Sequence, residues 1–166
     1  MLHDPELLDA IEALVGPTRR EAVAWRQTFS DRDPLIPNSR GARWNPPGVD
    51  ALYCSLSEHG AAAEHARVIS QEPVTKAKPL RMVRLRLSLG KVADLRNAEG
   101  LKELGFGPNE LTGEDWGPAQ VVGAAAAWLG IAAVVVPSAR HTAGNIVVFV
   151  NNIGPDDLVD VDSESS

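Results

Sequence analysis

Between residues 121 and 136 the chain reads VVGAAAAWLGIAAVVV, an uncharged run that water cannot be left to cover. A helix crossing a bilayer needs about 20 consecutive apolar residues, and this run is shorter and broken by two glycines. Its first part is rich in alanine and its second in β-branched valine, which predicts a core helix over about 117–129 followed by a core strand. The chain is therefore expected to be organised around an interior that mixes helix and strand.

The remaining pattern extends that expectation. Leu7, Leu8, Ile11, Leu14 and Val15 share one helical face over residues 5–15, with Asp4 as cap, Pro5 in the first turn and Gly16-Pro17 as stop, so residues 1–17 hold a packing helix. EAVAWRQTF at 21–29 reads as strand or extended chain, and residues 30–48 as a long loop dense in Pro, Asp, Asn and Gly. ALYCS is a short strand, after which Ser57 caps a helix reaching about Ser70 in spite of Gly60. In LRMVRLRLSL, Val83, Leu85, Leu87 and Leu89 alternate with Arg84, Arg86 and Ser88, as in a half-buried strand. KVADL suggests another strand, NAEGLKELG a short helix, FGPNELTGEDWG a loop, and NIVVFV a last strand after AAVVVPS. Residues 161–166 read as a disordered tail. The expected fold class is α+β: a single compact domain over 1–166, with short, mostly antiparallel strands and surrounding helices.

Charge narrows the function classes. With 22 acidic against 16 basic residues the net charge is −6, so direct nucleic-acid binding by phosphate neutralisation is not expected. The first residues carry acids and no basic segment ahead of an apolar stretch, unlike a secretory signal, and a cytoplasmic location is expected, with no membrane association. Cys54 is the one cysteine, and the four histidines are scattered, so neither a disulfide nor a metal site is expected.

Seven polar residues fall at strand ends and in loops where packing does not account for them: Arg26, Arg43, Asn45, Tyr53, Ser55, Glu64 and Ser138. Singly, each has a plainer reading, such as a surface ion pair for the arginines, a core-edge phenol, a solvated helical carboxylate or a turn serine. Together they describe a pocket for an anionic, aromatic ligand, with guanidinium forks for pyrophosphate, a ring for stacking and a carboxylate for developing positive charge. That set suits a dinucleotide, although no G-x-G-x-x-G loop follows a strand. A serine-hydrolase reading lacks a G-x-S-x-G elbow, and Ser138 and His141 are neighbours only along the chain.

WRQTFSDRDPL, GARWNPPGVDALYCSLSEHGAAAE and GIAAVVVPSARHTAGNIVVFVNN resemble, in that order, the blocks of the RES domain family, over residues 25–152. Ala42 stands where family members usually carry a second glycine. The resemblance implies a fold related to ADP-ribosyltransferases and an NAD-degrading toxin of a bacterial toxin-antitoxin pair, whose partner is an Xre-type helix-turn-helix antitoxin. On its pattern, Arg26 or Arg43, Glu64 and Ser138 take the family's arginine, glutamate and serine positions. The implied chemistry is cleavage of the nicotinamide–ribose bond, with Glu64 facing the ribose, Tyr53 orienting nicotinamide, and Arg26 and Arg43 on the phosphates. Ser138 would bond substrate or incoming phosphate, while Asn45 and Ser55 brace the turn at the substrate wall. NAD is then a substrate and no resident cofactor is expected. Inorganic phosphate, water and a protein side chain stay open as acceptors, since some RES proteins are phosphorylases, and an inactive binding module is a further alternative. The oligomeric state, homodimer included, is left open.

Overall fold

The computed structural model describes residues 3–70, 79–138 and 140–162, and for residues 65–70 only the backbone. In chain order the elements are α1 (Pro5–Glu12), β1 (Arg20–Phe29), β2 (Ala51–Ser55), α2 (Glu58–Ser70), β3 (Leu80–Leu89), β4 (Val92–Asp94), α3 (Glu99–Glu103), α4 (Pro108–Thr112), α5 (Gly117–Trp128), β5 (Ala133–Val136), β6 (Asn145–Phe149) and β7 (Leu158–Val161). The strands form one seven-stranded sheet in the order β4-β5-β6-β2-β1-β3-β7, antiparallel except for the β4–β5 pair. A mixed α/β fold with a mostly antiparallel sheet is thus what the alternating and β-branched segments produce.

The apolar run divides as its composition predicts. α5 buries Ala119, Val122, Gly123, Ala125 and Ala126, and all four residues of β5 are buried. The break is a Schellman turn: Gly130 adopts φ +77°, its N–H donates to the Ala127 carbonyl, and the Ile131 N–H reaches back to Ala126. β5 is apolar throughout because both sheet faces are covered. On one face its Val134 and Val136 join Leu7, Ile11, Leu101, Leu111 and the buried side of α5. On the other, Ala133 and Val135 join Val83, Leu85, Leu87 and Leu89 of β3, so the sheet curls until non-adjacent strands share a second core. Among the described residues no helix is long and apolar enough to cross a membrane.

Three differences from the sequence pattern have local causes. α1 ends at Glu12, and Val15 instead pairs with Ala93 beside the sheet edge. The predicted loop at 106–117 contains α4, with Pro108 in its first turn and Leu111 anchored in the core. The predicted tail at 161–166 is corrected at its start: Val161 closes β7 opposite Leu85, and Asp162 holds Arg84 in an ion pair of 2.9 Å. Asp157 fixes the approach to β7 by accepting the Gly154 and Gly90 N–H groups and Arg19. Residues 163–166 and the side chain of His65 lie outside the described residues.

Candidate active site

The sheet is not continuous in its middle. β1 pairs with β3 along its whole length, from Arg20 opposite Leu89 to Phe29 opposite Leu80, and β2 pairs along its whole length with β6. Between β1 and β2, among the described residues, one rung remains, Trp25 opposite Ser55. Where the next ladder bond would fall, the Arg26 guanidinium donates to the Tyr53 carbonyl, so a side chain replaces a strand. Beside this parting lies a cleft of about 410 Å³, lined from β1 by Trp25, Arg26 and Gln27 and from β2 by Tyr53, Cys54 and Ser55. Burial lowers the Arg26 pKa from its ordinary value, and the charge of nearby Arg32 acts in the same direction.

The floor carries the helical carboxylate. Glu64 on α2 is 33% exposed in its side chain, and three groups converge on its Oε1. The Ser138 hydroxyl donates to it at 2.8 Å, the Asn145 amide at 3.3 Å, and His141 Nε2 lies 3.8 Å away. Asn145 Oδ1 is itself 3.1 Å from His141 Nε2, so two residues at the β5–β6 connection hold one carboxylate oxygen in place. Ser138 and His141, three positions apart along the chain, are thereby brought to the same carboxylate in space. The serine proton goes to Glu64, not to the imidazole, so no serine–histidine nucleophile is assembled. Gly60 makes the approach of α2 possible: a Cβ there would lie 2.5 Å from Ser55 Oγ and 2.6 Å from His141 Cε1.

The opposite wall is the Pro-Pro-Gly turn with its polar residues. Tyr53 donates its phenol proton to Asn45 Oδ1 at 2.6 Å and accepts the Trp44 N–H at 2.8 Å, while the Asn45 amide bonds the Val49 carbonyl at 2.7 Å and that of Asn38 at 3.1 Å. Asn45 is fully buried and does not line the cleft, so it braces the wall without meeting a ligand. Ser55 both lines the cleft and accepts the Ser57 N–H, which fixes the start of α2. Positive φ angles fall on Gly41 (+108°) and Gly48 (+90°), and Ala42 needs none: its N–H donates to the Asn45 carbonyl at 3.0 Å. An alanine at this position therefore leaves the turn unstrained. Burial pushes the Tyr53 phenol pKa up, against the Trp44 N–H bond and the Arg43 charge, which keeps the ring neutral. Arg43 donates to the Leu111 and Gly113 carbonyls at 3.2 and 2.5 Å, tying the turn to the end of α4.

Removing the phenol oxygen gives a measurable outcome. Tyr53→Phe leaves the buried Trp44 N–H without its acceptor and is expected to cost about 1–3 kcal/mol, read as a lower urea midpoint. An unchanged midpoint would mean that the bond contributes nothing net to the wall.

Of the seven residues singled out in the sequence, six line this one cleft: Arg26, Arg43, Tyr53, Ser55, Glu64 and Ser138. Sequence reasoning passed over Gln27, Arg32, Asn38, Trp116, Arg140 and Asn145, which line it too. Cys54 is buried and its thiol is pushed up to about 12 by burial, so it is no nucleophile at neutral pH. Among the described residues no group of three His, Cys, Asp or Glu side chains could hold a metal ion.

The curated relatives include the NAD(+) phosphorylase MbcT of Mycobacterium bovis (strain ATCC BAA-935 / AF2122/97) and the proteins of that name from two Mycobacterium tuberculosis strains. Each is 29% identical over 163 residues, spanning 93% of this chain and 87% of the relative. The crystal structure of the M. tuberculosis MbcT-MbcA toxin-antitoxin complex contains a chain of the same fold, with a TM-score of 0.79 at 24% identity over 96% of this chain and 91% of that one. The RES domain family matches residues 15–164, reaching beyond the blocks at 25–152 to take in all seven strands of the sheet. The chain belongs to the RES domain family.

Proposed function

We propose that the protein is an NAD phosphorylase and the toxin of a bacterial toxin-antitoxin pair. The observation that carries the reading is the placement of Glu64, a partly exposed carboxylate held through Oε1 by Ser138 and Asn145, in a cleft whose other charged lining residues, among the described residues, are all arginines. The names of the curated relatives support the same reaction.

Breaking the nicotinamide–ribose bond leaves positive charge on the ribose at the transition state, and a fixed carboxylate stabilises that charge more than it stabilises bound NAD. Ser138 and Asn145 hold the carboxylate before the substrate arrives, so little reorganisation accompanies the reaction. The guanidinium groups of Arg26 and Arg43 are oriented by backbone carbonyls and neutralise the pyrophosphate, and anchoring that remote part fixes the reacting ribose. The Tyr53 hydroxyl is committed to the turn, so what this cleft-lining residue contributes to the ligand comes from its ring. NAD enters as substrate, and the reading requires no resident cofactor. The reaction takes place in the cytoplasm, where a helix-turn-helix antitoxin encoded beside the protein restrains it.

The test is NAD loss by the purified protein in phosphate-free buffer and again with millimolar phosphate. The expected result is a strong rise in rate and a product phosphorylated at the anomeric carbon. Equal rates giving only ADP-ribose would make the protein a hydrolase, and label passing from NAD to protein would make it a transferase.

A further inference from the structure

Phosphorolysis of a dinucleotide needs two anions in one cleft, the substrate's pyrophosphate and the attacking phosphate. Arg26 and Arg43 serve the first, and both are already anchored to carbonyls. Ser138 does not serve the second: its one proton is given to Glu64, and its oxygen accepts the Arg140 N–H at 3.0 Å. The structure brings two further cations to the cleft, Arg32 after β1 and Arg140 between β5 and β6.

These two stand in different surroundings. Arg32 is close enough to Arg26 for its charge to lower the Arg26 pKa, which puts it on the β1 side. Arg140 is joined through its own backbone N–H to Ser138 Oγ and from there to Glu64 Oε1. It is the cleft arginine tied by a short hydrogen-bonded path to the carboxylate that faces the ribose. Among the described residues Arg140 forms no ion pair, and its side chain is exposed along the cleft. In a protein of net charge −6, four arginines and a single carboxylate line this cleft among the described residues, so the local field there favours anions against the overall charge.

We propose that Arg140 seats the attacking inorganic phosphate beside Glu64, an assignment that rests on the phosphorylase reading. A phosphate oxygen forms the bond to the anomeric carbon as the bond from that carbon to the nicotinamide nitrogen breaks. The bonding pair passes to the ring nitrogen, the positive charge of the ring is cancelled, and nicotinamide leaves neutral without needing a proton. The guanidinium holds two phosphate oxygens and leaves a third directed at the ribose.

The test is steady-state kinetics of the full-length protein with Arg140→Gln and Arg140→Lys, varying inorganic phosphate at saturating NAD and NAD at saturating phosphate. Arg140→Gln is expected to raise the KM for phosphate about tenfold or more while leaving the KM for NAD within about twofold, consistent with loss of a charged hydrogen-bonding partner. Arg140→Lys, which keeps the charge but not the fork, is expected to fall between. A phosphate KM unchanged in Arg140→Gln, or a NAD KM that rises equally, overturns the assignment while the phosphorylase reading stands. A wild-type rate indifferent to phosphate overturns that reading itself.

Discussion

Glu64→Gln is expected to leave the fold intact and to cut NAD turnover on the order of 10²-fold or more. The variant is informative because glutamine keeps a carbonyl oxygen where Oε1 stands, so Ser138 and Asn145 retain an acceptor and only the charge is lost. The loss is expected in kcat more than in KM, since the carboxylate acts on charge that develops in the transition state. The measurement is initial rate of nicotinamide release with a parallel thermal melt. A rate close to wild type would remove Glu64 from the mechanism, and a collapsed melting curve would show it to be structural.

The largest expected effect on stability comes from a glycine outside the cleft. Gly123 on α5 faces the backbone of the Pro-Pro-Gly turn, and a Cβ there would be driven into the Trp44 carbonyl oxygen, 2.8 Å from the carbonyl carbon. Neither group is the end of a flexible side chain, so helix and turn must separate. Gly123→Ala is expected to cost about 3 kcal/mol or more, a fall in Tm of roughly 6–12 °C for a chain of this size. Activity should fall at temperatures where the variant is still folded, because the Trp44 N–H is what Tyr53 accepts at the wall. A melting temperature and activity matching wild type would show that α5 can move aside without disturbing the cleft.

Local pattern made much of this molecule readable. β3 falls on the residues that alternation marks and β5 on its run of valines, because both signals are carried within the strand's own sequence. β7 was missed because a short alternation beside acidic residues has no meaning until Leu85 and Arg84 stand opposite it. The candidate site divides in the same way. Arg26, Tyr53, Glu64, Arg32, Arg140 and Asn145 all lie in the blocks that resemble the family, but the resemblance singles out only the first three; the importance of Asn145 comes from its place opposite Ser55 across the sheet, and that of Arg32 and Arg140 from a strand order that brings two distant loops together. A loop arginine has no periodicity, so nothing in the sequence separates one facing a cleft from one facing water.

The parting between β1 and β2 has a consequence for how the site opens. Enzymes on unbroken sheets commonly set their sites at the strand ends or beneath loops, and a buried site there must wait for a covering segment to swing away. In this protein the seam is part of the resting structure: among the described residues β1 and β2 share only the Trp25–Ser55 rung, and Arg26 stitches the two halves at the Tyr53 carbonyl. A ligand settling against both halves therefore breaks no rung of the sheet, and admission requires no unzipping.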